Sequence, residues 1–163
     1  MRAAIITISS TRGDRGRQDE SGPALAEFAR TLGAEIAGTE IVPDDRSEIE
    51  RALRHYCDTE PCELVLTTGG TGFAQSDVTP EATRATIERD APGIAEALRA
   101  ASREHTPNWM LSRGVAGIRG RSIIVNFPGS PKSIREAGAA IASAIPHAVA
   151  LVAGESTHHG HGA

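Results

Sequence analysis

Three short segments constrain the fold of this chain more than anything else in it. Arg2-Ala3-Ala4-Ile5-Ile6-Thr7-Ile8, Cys62-Glu63-Leu64-Val65-Leu66 and Ile123-Ile124-Val125-Asn126-Phe127 are almost unbroken in apolar character. A strand with one wet face alternates, so unbroken runs mark strands covered on both faces, the usual state of central parallel strands. Helical spacing fills the intervals: Leu25, Phe28, Ala29 and Leu32 up to Gly33; Ile49, Leu53 and Tyr56; Ile94, Leu98 and Ala101; then Ile134, Gly138, Ile141 and Ile145. Strand–helix alternation predicts an α/β fold, a three-layer α/β/α sandwich around a mostly parallel sheet. Between Met110 and Phe127, the glycines of Gly117-Ile118-Arg119-Gly120 predict two short strands joined by a turn, a short antiparallel addition to the sheet. Pro23, Pro80 and Pro131 fall at expected first helical positions, and Pro146 is expected to kink or divide the last helix.

The 163 residues suit one domain, expected over residues 1–155, with the His-rich ending 156–163 read as a frayed tail. Aromatic residues are only 3% and the formal charge is −4, which supplies neither stacking platforms nor a basic face, so nucleic acid is excluded as a partner. No apolar run approaches the ~18 residues of a membrane span, and no charged-then-apolar leader opens the chain, so no membrane is expected and a cytoplasmic location is. Cys57 and Cys62, the only cysteines, are then reduced thiols, too few to hold zinc.

In an open parallel sheet, ligands bind beyond the carboxyl ends of the strands. Three loops expected there are polar and rich in glycine. The first strand runs into Ser9-Ser10-Thr11-Arg12-Gly13 and then Asp19-Glu20-Ser21-Gly22-Pro23; a later one into Thr67-Thr68-Gly69-Gly70-Thr71-Gly72; the last into Pro128-Gly129-Ser130-Pro131-Lys132-Ser133. One such loop needs its glycines only to turn. Three at one edge converge hydroxyls, backbone N–H groups and helix N-termini, which makes an anion site without net positive charge. Neither a Walker A loop nor a dinucleotide fingerprint is present: Lys132, the only Lys, follows Gly129-Ser130-Pro131, and Gly69-Gly70-Thr71-Gly72 has the wrong spacing, which disfavours a nicotinamide enzyme.

Two aspartates are not explained by capping. In Val42-Pro43-Asp44-Asp45-Arg46-Ser47-Glu48, Asp45 is expected to cap the next helix with Glu48 completing a capping box, which leaves Asp44 over. In Asp77-Val78-Thr79-Pro80, Thr79 is expected to cap and Pro80 to begin the helix, which leaves Asp77 to face the glycine loop. Carboxylates beside an anion site call for a cation between them, and Mg²⁺ with phosphate oxygens is the common solution.

Thr67-Thr68-Gly69-Gly70-Thr71-Gly72 followed by Asp77-Val78-Thr79-Pro80-Glu81, with Val42-Pro43-Asp44 upstream and Ser112-Arg113 and Gly129-Ser130-Pro131 downstream, resembles the molybdopterin adenylyltransferase family of molybdenum cofactor biosynthesis. The resemblance covers nearly the whole chain. It implies a compact α/β domain, usually trimeric, that transfers AMP from ATP to the terminal phosphate of molybdopterin with Mg²⁺ and releases pyrophosphate. By the same resemblance Asp44 and Asp77 are the functional aspartates, with Mg²⁺ and the nucleotide phosphates on Asp77 and an orienting role for Asp44. Ser9, Asp19, Ser21, Gly22, Thr68, Gly69, Gly70, Thr71, Gly72, Ser112, Gly129, Ser130 and Pro131 are the implied substrate contacts. A molybdate-insertion partner protein is the implied recipient of the product. The chain departs from the family in two places: Ser10 stands where Asp is common, and Gln75-Ser76 where Pro-Arg is common. The second removes a cation, for which Arg12, Arg15, Arg17 or Lys132 could substitute. The rival reading is a catalytically silent molybdopterin-binding module that carries the cofactor to a partner.

Overall fold

A computed structural model of the chain describes residues 1–9 and 19–155. Ser10, Arg12, Arg15, Arg17 and the tail 156–163 lie outside the described residues.

In chain order the elements are β1 (Arg2–Ile8), α1 (Ser21–Thr31), β2 (Glu35–Val42), α2 (Arg46–Arg54) continued by a π-helical turn (His55–Thr59), β3 (Leu64–Thr68), α3 (Thr79–Thr86), β4 (Arg89–Asp90), α4 (Pro92–Ser102), a 3₁₀ turn (Trp109–Leu111), β5 (Ala116–Arg119), β6 (Ser122–Phe127), α5 (Pro131–Ile141) and α6 (Ile145–Val152). The strands form one sheet in the order β2-β1-β3-β6-β5-β4. The first four are parallel; β5 and β4 complete the sheet antiparallel. The three apolar segments are therefore neighbours at the centre of the sheet.

Alternation hidden inside those segments builds two cores. Ala3 and Ile5, Leu64 and Leu66, and Ile123, Val125 and Phe127 face one side, packed under α1, α4, α5 and α6. Ala4, Ile6 and Ile8, Val65 and Ile124 face the other, packed under α2, the π-helical turn and α3. Both layers of helices are needed because each central strand has two apolar faces. Gly33, at φ +82°, ends α1, and Pro146 sits in the first turn of α6 after a break from α5.

Several local expectations are corrected. Pro23 lies at the third position of α1, where its missing N–H still leaves no intrahelical bond unmade. Met110 belongs to the 3₁₀ turn, so the hairpin begins only at Ala116. Asp45 caps α2, accepting from the Glu48 N–H at 3.1 Å, but the Glu48 carboxylate pairs with Arg51 instead of closing the box. Thr79 does not cap α3; its hydroxyl donates to the Gly69 carbonyl at 2.9 Å. Cys57 and Cys62 are buried free thiols, and burial pushes Cys57 up to about 11. Among the described residues no helix is long and apolar enough to cross a membrane.

Candidate functional site

Strand register brings the glycine loops together. Thr7 on β1 pairs with Thr68 on β3, and Thr68 with Phe127 on β6, so the loops that follow leave the sheet side by side. The Thr68 hydroxyl donates to the Pro128 carbonyl at 2.7 Å, which ties the middle loop to the last. A side chain on Gly69 would begin 2.3 Å from the Ile8 carbonyl oxygen, and one on Gly129 only 3.7 Å from Gly69 Cα. Gly69 and Gly70 also carry φ of +96° and +67°, which only glycine adopts without strain. Among the described residues, no carbonyl or side chain accepts from the N–H groups of Gly69 to Gly72. Successive unbonded N–H groups in such a turn are an anion-binding concavity.

Both aspartates flank this loop. A side chain on Gly70 would begin 3.2 Å from Asp44 Oδ1, and one on Gly72 2.8 Å from Asp77 Oδ2. The two glycines are two residues apart, at most about 7 Å along the chain, so the carboxylates bracket one short stretch. Contrary to the expectation that Asp77 has no local role, it closes a turn of its own. Its Oδ2 accepts from the Ala74 N–H at 3.1 Å while its own N–H donates to the Ala74 carbonyl at 2.9 Å, a reciprocal turn.

The other predicted residues line the same edge with distinct tasks. Asp19 closes the N-terminus of α1: Oδ1 accepts from the N–H groups of Ser21 at 3.1 Å and Gly22 at 3.0 Å, and Oδ2 from the Thr7 hydroxyl at 3.0 Å. Ser9 joins the edge through its N–H, which donates to the Val42 carbonyl at 3.0 Å. Ser130 caps α5, accepting from the Ser133 N–H at 3.2 Å, with Pro131 as the first helical residue. Ser112 lies on a neighbouring cavity of about 110 Å³ that it shares with Trp109, Asn126, Pro128 and Ser133. Among the described residues no three His, Cys, Asp or Glu side chains gather around a metal position. A divalent cation here would be held by one or two carboxylates together with ligand oxygens, the manner in which Mg²⁺ is usually bound.

Sequence reasoning missed two supports. Asn126 is buried below the loops, donating to the hydroxyls of Thr67 at 3.0 Å and Thr83 at 2.9 Å and accepting from the Val115 N–H at 3.0 Å. Its signal was available, a polar amide inside an apolar strand. Arg113 entered only as part of a motif, yet it donates to the Gly72 and Asp77 carbonyls, both at 2.8 Å, and to the Glu81 carboxylate. That guanidinium bond holds the Glu81 carboxyl below its ordinary range.

The family described as probable molybdopterin binding domain matches residues 4–147. A molybdopterin adenylyltransferase of Helicobacter pylori strain 26695 is 50% identical over 152 residues, 91% of this chain and 86% of that protein. The molybdenum cofactor synthesis protein cinnamon of Drosophila melanogaster is 41% identical over 152 residues, but the chain spans only 25% of its length. The crystal structure of the molybdopterin biosynthesis enzyme MoaB from Thermus thermophilus superposes with a TM-score of 0.87 at 45% identity, covering 94% of this chain and 97% of that one.

Proposed function

Because this chain belongs to the family of probable molybdopterin-binding domains, we propose that it is a molybdopterin adenylyltransferase, transferring AMP from ATP to the terminal phosphate of molybdopterin and releasing pyrophosphate. What supports the reading is the juxtaposition, at one sheet edge, of two carboxylates with loop N–H groups that find no acceptor among the described residues. The attacking group belongs to the substrate, a phosphate oxygen that bonds to the α-phosphorus of ATP as the bond to the pyrophosphate oxygen breaks. No protein nucleophile is required. The protein's task is to hold two polyanions in line and screen their repulsion, which in phosphoryl transfer supplies most of the catalysis.

In this reading the Gly69–Gly72 amides hold nucleotide phosphate, Gly129, Ser130 and the α5 N-terminus hold the pterin phosphate, and Asp77 with Asp44 holds the Mg²⁺ that accompanies ATP. The ion supplies charge neutralisation when bound. Asp77 is the better placed because its turn is fixed from inside, by the paired Ala74 bonds. The working form is a homotrimer, and the adenylated pterin passes to a molybdate-inserting partner.

Incubating the protein with molybdopterin, ATP and Mg²⁺ tests this. Adenylated molybdopterin and an equal amount of pyrophosphate are expected. Tight pterin binding with neither product would instead make the chain a carrier.

A further inference from the structure

Resting on that reading, the geometry points to Arg113 as the residue that positions Asp77 and the glycine loop for transfer. Arg113 lies between the 3₁₀ turn and β5, and its backbone N–H donates to the Thr71 carbonyl at 2.8 Å. Its side chain then reaches three further places: Nε donates to the Gly72 carbonyl at 2.8 Å, Nη2 to the Asp77 carbonyl at 2.8 Å, and Nη1 to the Glu81 carboxylate. One planar fork thus clasps the segment 71–81 at its start, middle and end. A lysine carries the same charge, but its donors radiate from one point, so it cannot meet three acceptors spread along a plane.

The direction of these bonds separates positioning from ligand binding. Arg113 is a cation beside the glycine loop, yet Nε, Nη1 and Nη2 all donate to the protein, so the fork is committed before any phosphate arrives. Inside the turn, Asp77 and Ala74 bond to each other through the Ala74 N–H to Asp77 Oδ2 and the Asp77 N–H to the Ala74 carbonyl. That small unit could swing as a whole about its ends. The Arg113 bond to the Asp77 carbonyl fixes it from outside, and the guanidinium that pairs with Glu81 also attracts the nearby Asp77 charge. Arg113 therefore acts through Asp77 and the loop backbone, not on the reacting atoms.

The test compares wild type, Arg113→Lys, Asp77→Asn and the double variant by single-turnover transfer, molybdopterin affinity and amide exchange of residues 70–78. Arg113→Lys is expected to slow transfer by about 10–100-fold, the scale of a 1 Å misplacement, while pterin affinity holds and exchange of 70–78 quickens. In the Asp77→Asn background the same change should add little, because residues acting as a unit are not additive. Glu81→Gln, which keeps an acceptor but loses the charge, should shift each readout the same way by less. A full multiplicative loss in the Asp77→Asn background with unchanged exchange would make Arg113 a direct phosphate ligand and overturn the inference. So would unchanged transfer and exchange in Arg113→Lys. If wild type forms no adenylated product, the functional reading fails by itself, and amide exchange alone decides whether Arg113 holds the turn.

Discussion

The two ends of the sheet differ in what their polar groups do. At the amino ends of β1, β3 and β6 lies a hollow of about 440 Å³, lined by Met1, Pro61, Cys62, Arg121 and Pro146 among others. Several polar groups at this end are already matched: the Arg2 N–H with Glu63, the Ser122 hydroxyl with the Cys62 carbonyl at 2.6 Å, and Arg121 with the Ala153 carbonyl. At the carboxyl ends the neighbouring cavity is about 110 Å³, but the Gly69–Gly72 amides have no acceptor among the described residues and two carboxylates face them. A groove of about 460 Å³ lined in part by Thr7, Asp19 and Gly22 also adjoins the carboxyl ends, so volume does not separate the two ends. Amides that find no acceptor among the described residues, set beside two carboxylates, mark the working end.

The largest test of this contrast removes charge at one end and compares the other. Asp77→Asn should lower transfer on the order of 10²–10³-fold, the usual loss for one preorganised electrostatic group, and Asp44→Asn somewhat less. Arg121→Ala at the amino end should leave the rate unchanged. If the two aspartates share one ion, the double variant loses much less than the product of the singles in single-turnover measurements.

A glycine pair makes the next test. Gly70 and Gly120 both have positive φ, but a side chain on Gly70 would begin 2.4 Å from the Thr79 hydroxyl, while one on Gly120 would begin with nothing within 4 Å. Gly70→Ala should therefore reduce transfer by about 10²-fold through displacement of the loop. Gly120→Ala should cost only about 1–2 kcal/mol of stability, the ordinary left-handed penalty, with transfer intact. Melting curves beside rate measurements separate the two.

Legibility in the sequence followed the same divide. The strands and the two cores were readable because alternation and covered faces are properties of side chains: Ile5, Leu66 and Phe127 declare themselves. The site residues on loops were readable by type. What could not be read were bonds to backbone carbonyls, which every residue carries and no sequence distinguishes. Thr79 reads as a cap, but the Gly69 carbonyl ten residues earlier offers its hydroxyl a better-placed acceptor. Arg113 reads as a loop cation, and its partners Gly72 and Asp77 lie 41 and 36 residues away. The two-residue strand β4 carries no periodicity at all.

Acid should loosen the Arg113 clasp on the glycine loop. The Glu81 carboxyl is held below its ordinary value of 4.5 by Arg113. A depressed folded value means that its contribution is complete above 4.5 and is lost as pH falls through the folded value. Exchange of amides 70–78 should therefore quicken as pH is lowered beneath 4.5, after correction for intrinsic rates, and Glu81→Gln should remove that pH dependence. Exchange at 70–78 that ignores pH in the wild type would break this assignment. The smallest effect is expected from Ser76→Arg, which restores a cation near the loop. An exposed charge contributes about 0–1 kcal/mol, so KM for ATP should fall slightly or hold, and a tenfold rise would mean that position 76 faces something other than phosphate.

The contrast is tested most directly by mapping amide exchange across the chain before and after adding molybdopterin with a non-hydrolysable ATP analogue and Mg²⁺. Protection is expected at Gly69–Gly72 and at 129–133, with residues 61–63 and 120–122 unchanged. Protection confined to the amino-end hollow would contradict the account.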